Sequence, residues 1–141
     1  MNPRNARISQ IHTTQKGGRI PDTTPNAPEV AGEMPASSFD LVVEIEAGMQ
    51  TMTGGPYTLT VSAIDDSTGG GAPMLDPQIP PQRFGTPPFQ RAGDGFALVQ
   101  TFNIPVPATG VRGHLFHYTA VLHNEDFQIV SMQTTDRFLL I

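Results

Sequence analysis

The sequence predicts an all-β chain folded as an antiparallel β-sandwich, and three observations carry that prediction. Four segments alternate apolar and polar residues with the two-residue period of a half-buried strand. Glycine and proline, 14 each in 141 residues, exceed average usage and punctuate the chain at short intervals. No capping residue precedes an i, i+3, i+4 apolar pattern long enough for a helix.

Residues 1–38 are polar and interrupted by Gly17, Gly18, Pro21, Pro25, Pro28, Gly32 and Pro35. Proline fixes φ and has no amide proton to donate, so this segment is expected to be an extended arm without regular pairing. The sandwich domain is then expected over 39–141. Residues 39–46 set Phe39, Leu41, Val43 and Ile45 against Asp40, Glu44 and Glu46. Residues 57–64 set Tyr57, Leu59, Val61 and Ala63 against Thr58, Thr60 and Ser62. Threonine on the wet face suits a pleated surface.

Residues 65–95 carry six prolines and read as a long Pro/Gly-rich loop. Met74, Leu75, Ile79, Phe84 and Phe89 are expected to anchor it to the body, with a short edge pairing around Arg83–Phe84. Residues 96–104 form the third clear strand, with Phe96, Leu98, Phe102 and Ile104 on one face. Residues 114–123 form the fourth, with Phe116, Tyr118, Ala120 and Leu122 on one face. The polar turn Asn124–Glu125–Asp126 leads back into 127–132, and 136–141 closes as an apolar segment. The expected core joins Leu41, Val43, Leu59, Val61, Phe102, Phe116, Tyr118 and Leu122.

Over 96–141 a strand ends in Pro105, Pro107 and Gly110. The next reads Tyr118-x-Ala120-x-Leu122, a polar hairpin follows, and a last strand closes the chain. This half resembles immunoglobulin-like or fibronectin-type sandwiches, or a related Greek key. It lacks the cysteine pair and the tryptophan of true immunoglobulin domains. The resemblance implies an architecture and no activity.

The charge is divided. Residues 1–21 hold Arg4, Arg7, Lys16 and Arg19 and no acid, giving +4, while the rest carries all 13 acids and sums to -9. A basic segment on an acidic body suggests contact with an acidic neighbour. Nucleic acid is the weaker option, because packaging arms carry denser basic runs. Without cysteine there is no disulfide scaffold, thiolate metal site or thiol nucleophile. No apolar run approaches the roughly 20 residues of a membrane span. The start of the chain does not read as a secretory signal, so cytoplasmic synthesis is expected.

Candidate chemistry is sparse. His114, His117 and His123 cluster in sequence, but strand alternation turns His114 away from the other two. His117 and His123 lie roughly 20 Å apart at 3.3 Å per residue, too far for one ion. Asp65, Asp66, Asp76, Asp94, Glu125 and Asp126 sit in loops, where acids bond local backbone. Gly69–Gly71 lacks the lysine of a phosphate loop. Glu44 and Glu46 share a wet face and read as solvent-facing. No catalytic residue, metal or cofactor is therefore assigned.

Leu115, Thr119 and Val121 lie opposite the core face of their strand, as Ala97 and Val99 do on theirs. A sandwich strand has one wet face, so apolar residues there mark a covered surface. The reading is a non-enzymatic assembly subunit contacting protein neighbours in a larger particle, a virion or other multiprotein complex. Contact would come from the arm and the Pro-rich loop, with Arg4, Arg7, Ile8, Ile11, Arg19, Ile20, Leu115 and Val121 at the interface. The alternative is a ligand-binding or adhesive module, calcium being its candidate ion, with its site in the 65–95 loop.

Overall fold

The computed structural model describes residues 6–48, 57–79, 90–93, 95–124 and 126–141, with Arg91 and Ala92 as backbone. The described residues contain strands and a single 3-10 turn, Pro73–Leu75, and no α-helix. The strands are β1 (Ala6–Gln15), β2 (Ser38–Gly48), β3 (Thr58–Asp65), β4 (Gly70–Gly71), β5 (Gln90–Ala92), β6 (Gly95–Pro105), β7 (Leu115–His123), β8 (Ile129–Thr134) and β9 (Phe138–Leu139). They form two antiparallel sheets. One runs β1-β2-β6-β5; the other runs β4-β3-β7-β8, with β9 also pairing β7.

The two sheets close on one core. Leu41, Val43 and Ile45 of β2 meet Leu59 and Val61 of β3 and Phe116, Tyr118 and Leu122 of β7, all at most 4% exposed. Phe102 is half-buried at the core's margin. Phe138 is the hub: its ring centroid lies 5.5 Å from Phe39, 5.8 Å from Phe116 and 5.4 Å from Tyr118. Such ring pairs add roughly 0.5–1.5 kcal/mol each beyond their area. The Tyr118 hydroxyl donates to the Leu75 carbonyl at 2.8 Å, which ties the 3-10 turn to the core. Burial, with the charge of Asp76 second, holds that phenol well above its ordinary pKa. At the start of β6, Gly95 lies so close to the Ala47 carbonyl that a β-carbon would collide with it.

Residues 6–15 correct the expectation of an unpaired arm. They form β1, paired with β2 from Ala6↔Ala47 to Gln15↔Phe39. The physical reason is a bulge. The register shifts between Ile8 and Gln10, leaving Ser9 as an extra residue whose hydroxyl donates to the Glu44 carbonyl at 3.2 Å. Ile8 and Ile11 are three apart, a spacing that puts them on opposite faces of a regular strand. The extra residue turns both inward, opposite Ile45 and Val43, at 1% and 8% exposed. No period of two survives in the sequence, although the strand is there.

Residues 16–38 also lie against their own domain. The chain turns at Gly17, in the left-handed region at φ 74°, and comes back along the free edge of β1. Thr13 and Asp22 exchange two bonds, Asp22 N to Thr13 O at 2.8 Å and Thr13 Oγ1 to Asp22 O at 2.7 Å. Further on, Leu139 N donates to Thr23 O at 2.7 Å, and Val106 N to Ser37 O at 2.8 Å.

The described residues of the 65–95 region are not a plain loop. They hold β4, the 3-10 turn and β5, and Leu75 is fully buried. The expected pairing at Arg83–Phe84 and the anchor Phe89 lie outside the described residues.

Candidate interaction surface and pocket

The sequence-predicted interface residues fall into three groups. Ile8 and Ile11 are core residues of their own domain, so they are not free to meet a neighbour. Arg7 is exposed but engaged: its Nε and Nη2 donate to Glu46 Oε2 at 3.0 and 2.9 Å across the β1–β2 pair. An exposed pair of this kind contributes at most about 1 kcal/mol. Arg19 and Ile20 remain on the surface, Ile20 at 80% exposure, while Leu115 is 41% exposed and Val121 half-buried. Arg4 lies outside the described residues.

The largest apolar exposure was less legible. It sits on β8 and the turn before it, where Phe127 is 87%, Ile129 63% and Met132 61% exposed. Phe127 stands at φ 58°, a left-handed conformation that is unusual for a bulky side chain. The turn is held by Asn124, whose Oδ1 accepts from the amides of Asp126 and Gln128 at 3.0 and 2.9 Å. β8 is the last strand of its sheet, and Met132 lies beside Val121 in register. It continues the outer face of Leu115 and Val121. The sequence carried a signal: 127–132 is apolar on both faces and has no charge.

The histidine clusters serve the sheet end. Asp65 and Asp66 follow one another at the end of β3, so their side chains leave on opposite faces. His114 Nδ1 lies 2.8 Å from Asp65 Oδ2, and His117 Nδ1 lies 2.8 Å from Asp66 Oδ2. Arg137 Nε approaches Asp66 Oδ2 at 3.5 Å. The amides of Ser67 and Thr68 donate to Asp65 Oδ1, and the Ala63 amide donates to Asp76 Oδ1 at 2.7 Å. These carboxylates are spent on local partners. Among the described residues no three histidine or acidic side chains converge as ligands for one metal ion.

A cavity of about 450 Å³ lies on the outer face of the four-stranded sheet. Its floor is Val42 of β2 with Val99 and Thr101 of β6, and His12 of β1 stands beside them. The turn Gly17–Gly18–Arg19 forms its rim, held down by a bond from the Gly17 amide to Asp40 Oδ2 at 2.8 Å. Asp40 also accepts from Asn103 Nδ2 at 3.0 Å. Glu44 lines the far side. Both ring nitrogens of His12 are buried and have no hydrogen-bond partner among the described residues. Nothing local in the sequence announces this cavity, because it forms only when β1 pairs with β2 and the turn folds over them.

No protein-family model, curated protein or solved structure matches the chain.

Proposed function

We propose that the protein is a non-enzymatic assembly subunit of a larger particle, virion-like or another multiprotein complex, and that it associates through β8. The observation that supports this is the exposed apolar face that Ile129 and Met132 of β8 make with the fully projecting Phe127; the edge of the strand is met by β1, whose Ile8 amide donates to Ser131 Oγ at 3.0 Å. Natural edge strands are blunted by charge, proline or inward-pointing lysine. Ile129–Thr134 carries no charge and no proline, and one irregularity, at Val130, interrupts its pairing with β7. The occupant is a second copy of the same chain, joined face to face through these apolar side chains. A two-fold axis at Met132 sets Phe127 and Ile129 of each copy against the same face of the other. It also brings the exposed Arg137 at one end of each strand to the Asp126 turn of the other, so the charges complement. Two-fold self-pairing is the commonest route to a homodimer.

Higher assembly would use the remaining exposed apolar residues of the N-terminal segment, Ile20, Val30 and Met34, at 80%, 57% and 79%. The basic segment thus keeps a role, with its contact residues moved from Ile8 and Ile11 to these three. The immunoglobulin-like reading belongs to the same proposal and is supported by the hairpin that β7 and β8 make in an antiparallel sheet.

Sedimentation equilibrium of the full chain tests the pairing. The expected species is a dimer of the 15.2 kDa chain or a multiple of it. Met132→Lys, at a solvent-facing position, should yield folded monomer. A wild-type chain that stays monomeric at high concentration overturns the proposal.

A further inference from the structure

We propose that the cavity on the outer face of the four-stranded sheet binds a small zwitterion with an aliphatic body, its ammonium held by Glu44 and its anionic end by Arg19. The volume, about 450 Å³, lies within the roughly 300–1,000 Å³ of small-molecule sites. The floor is apolar where a ligand's middle would rest, on Val42 and Val99. The charges that line the cavity are then sorted by what they already do. Asp40 is committed, to the Gly17 amide and to Asn103, and its role is to fix the rim. The neighbouring acid on the same face, Glu46, is taken by Arg7. Glu44 and Arg19 have no side-chain hydrogen bond or ion pair among the described residues. His12 adds two unpartnered nitrogens in the wall.

The placement of the two free charges sets the ligand's shape. The rim turn is bonded at Asp40, and Glu44 lies four residues along the same strand, roughly 13 Å away at 3.3 Å per residue. Arg19 therefore enters from one end and Glu44 from the other. A ligand whose ammonium and carboxylate are separated by several methylenes satisfies both, whereas an α-amino acid holds its charges too close together. The surface is distinct from the β8 face, so this site is independent of the association proposed above.

The test is calorimetric titration of the full chain with 6-aminohexanoate, hexylamine and hexanoate, with amide chemical shifts to locate the binding. 6-Aminohexanoate should bind at least about tenfold more tightly than either singly charged compound, the gain of one charge-assisted hydrogen bond. Shifts should centre on Val42, Val99 and Thr101. Glu44→Gln should remove the advantage over hexanoate, and Arg19→Ala the advantage over hexylamine. Arg112→Ala, at an exposed arginine away from the cavity, should leave all three affinities unchanged. Thermal melts of each variant establish that it is folded. Equal affinity for the three compounds, no saturable binding in the millimolar range, or indifference to both cavity variants overturns the proposal.

Discussion

Asn26 and Ile141 hold each other by two hydrogen bonds: Asn26 Nδ2 donates to the Ile141 carbonyl at 3.0 Å, and the Ile141 amide donates to Asn26 Oδ1 at 2.9 Å. The Asn26 side chain thus mimics a strand partner for Ile141, the residue after the fully buried Leu140. Its own carbonyl accepts from Ala36 N at 2.8 Å, so the residue also fixes the loop that contains it. One fully buried asparagine joins the proline-rich segment to the closing strand of the sandwich.

Asn26→Ala leaves the Ile141 amide and carbonyl without these partners. The expected loss is about 1–3 kcal/mol, from two hydrogen bonds each worth about 0.5–1.5 kcal/mol. Urea unfolding followed by far-UV circular dichroism measures it. A variant as stable as the parent would show that the Asn26–Ile141 contact does not hold the segment to the sandwich.

Four strands, β2, β3, β6 and β7, were legible because Leu41/Val43, Leu59/Val61 and Phe116/Tyr118/Leu122 keep a strict period of two. β1 was illegible because Ser9 breaks that period, and β5 because three residues carry no period at all. Ile8 and Ile11 were recognised as anchors and assigned to a neighbour's surface, when their own core takes them. The pocket was invisible for a different reason. Asp40, Glu44, His12 and Arg19 are ordinary residues of a strand face and a turn, and only the β1–β2 register and the Gly17 turn bring them together.

The Asp65–His114 pair predicts an acid-side dependence of stability. The His114 hydrogen bond, then the Ser67 and Thr68 amides, hold the Asp65 carboxyl below its ordinary value of 3.8, against partial burial, which raises it. A carboxyl with a depressed pKa binds its proton more weakly in the folded chain than in the unfolded one. Its stabilisation is therefore complete above the ordinary carboxylate range and is lost as pH falls through that range to the lowered value. Wild type should exceed Asp65→Asn in stability near neutrality, and the difference should shrink as the pH is taken down through that range. Urea midpoints of both proteins across the acid range check this; a gap that does not change with pH contradicts it.

Phe138→Ala should be the most costly of the aromatic truncations near the end of the chain. The ring is fully buried and touches three other aromatic rings from both sheets, so its loss removes both burial and contacts on three sides. The expected cost is about 3–5 kcal/mol. Phe138→Leu should recover part of it by filling some of the volume. If leucine recovers the whole of the loss, the ring contacts are not what stabilises the junction.

The bulge at Ser9 makes a prediction that runs against the usual effect of deletions in strands. Removing one residue from a regular strand turns every following side chain to the opposite face. Here the extra residue is Ser9 itself, so deleting it leaves Ile8 and Ile11 two apart and both still facing inward, opposite Ile45 and Val43. The deletion forfeits the Ser9–Glu44 hydrogen bond and little else. It should cost no more than about 1.5 kcal/mol, the upper end of the net worth of a typical hydrogen bond. Deleting Ser62 from β3 provides the contrast. Strand β3 pairs with β7 without a break from Thr58↔His123 to Asp65↔Phe116, and it has no spare residue to give up. That deletion turns Leu59 and Val61, now 2% and 4% exposed, out of phase with Ala63 and should abolish cooperative unfolding. Thermal melts of the two deletion variants decide the matter: equal damage from both would mean that β1 is not held in the register of its bulge.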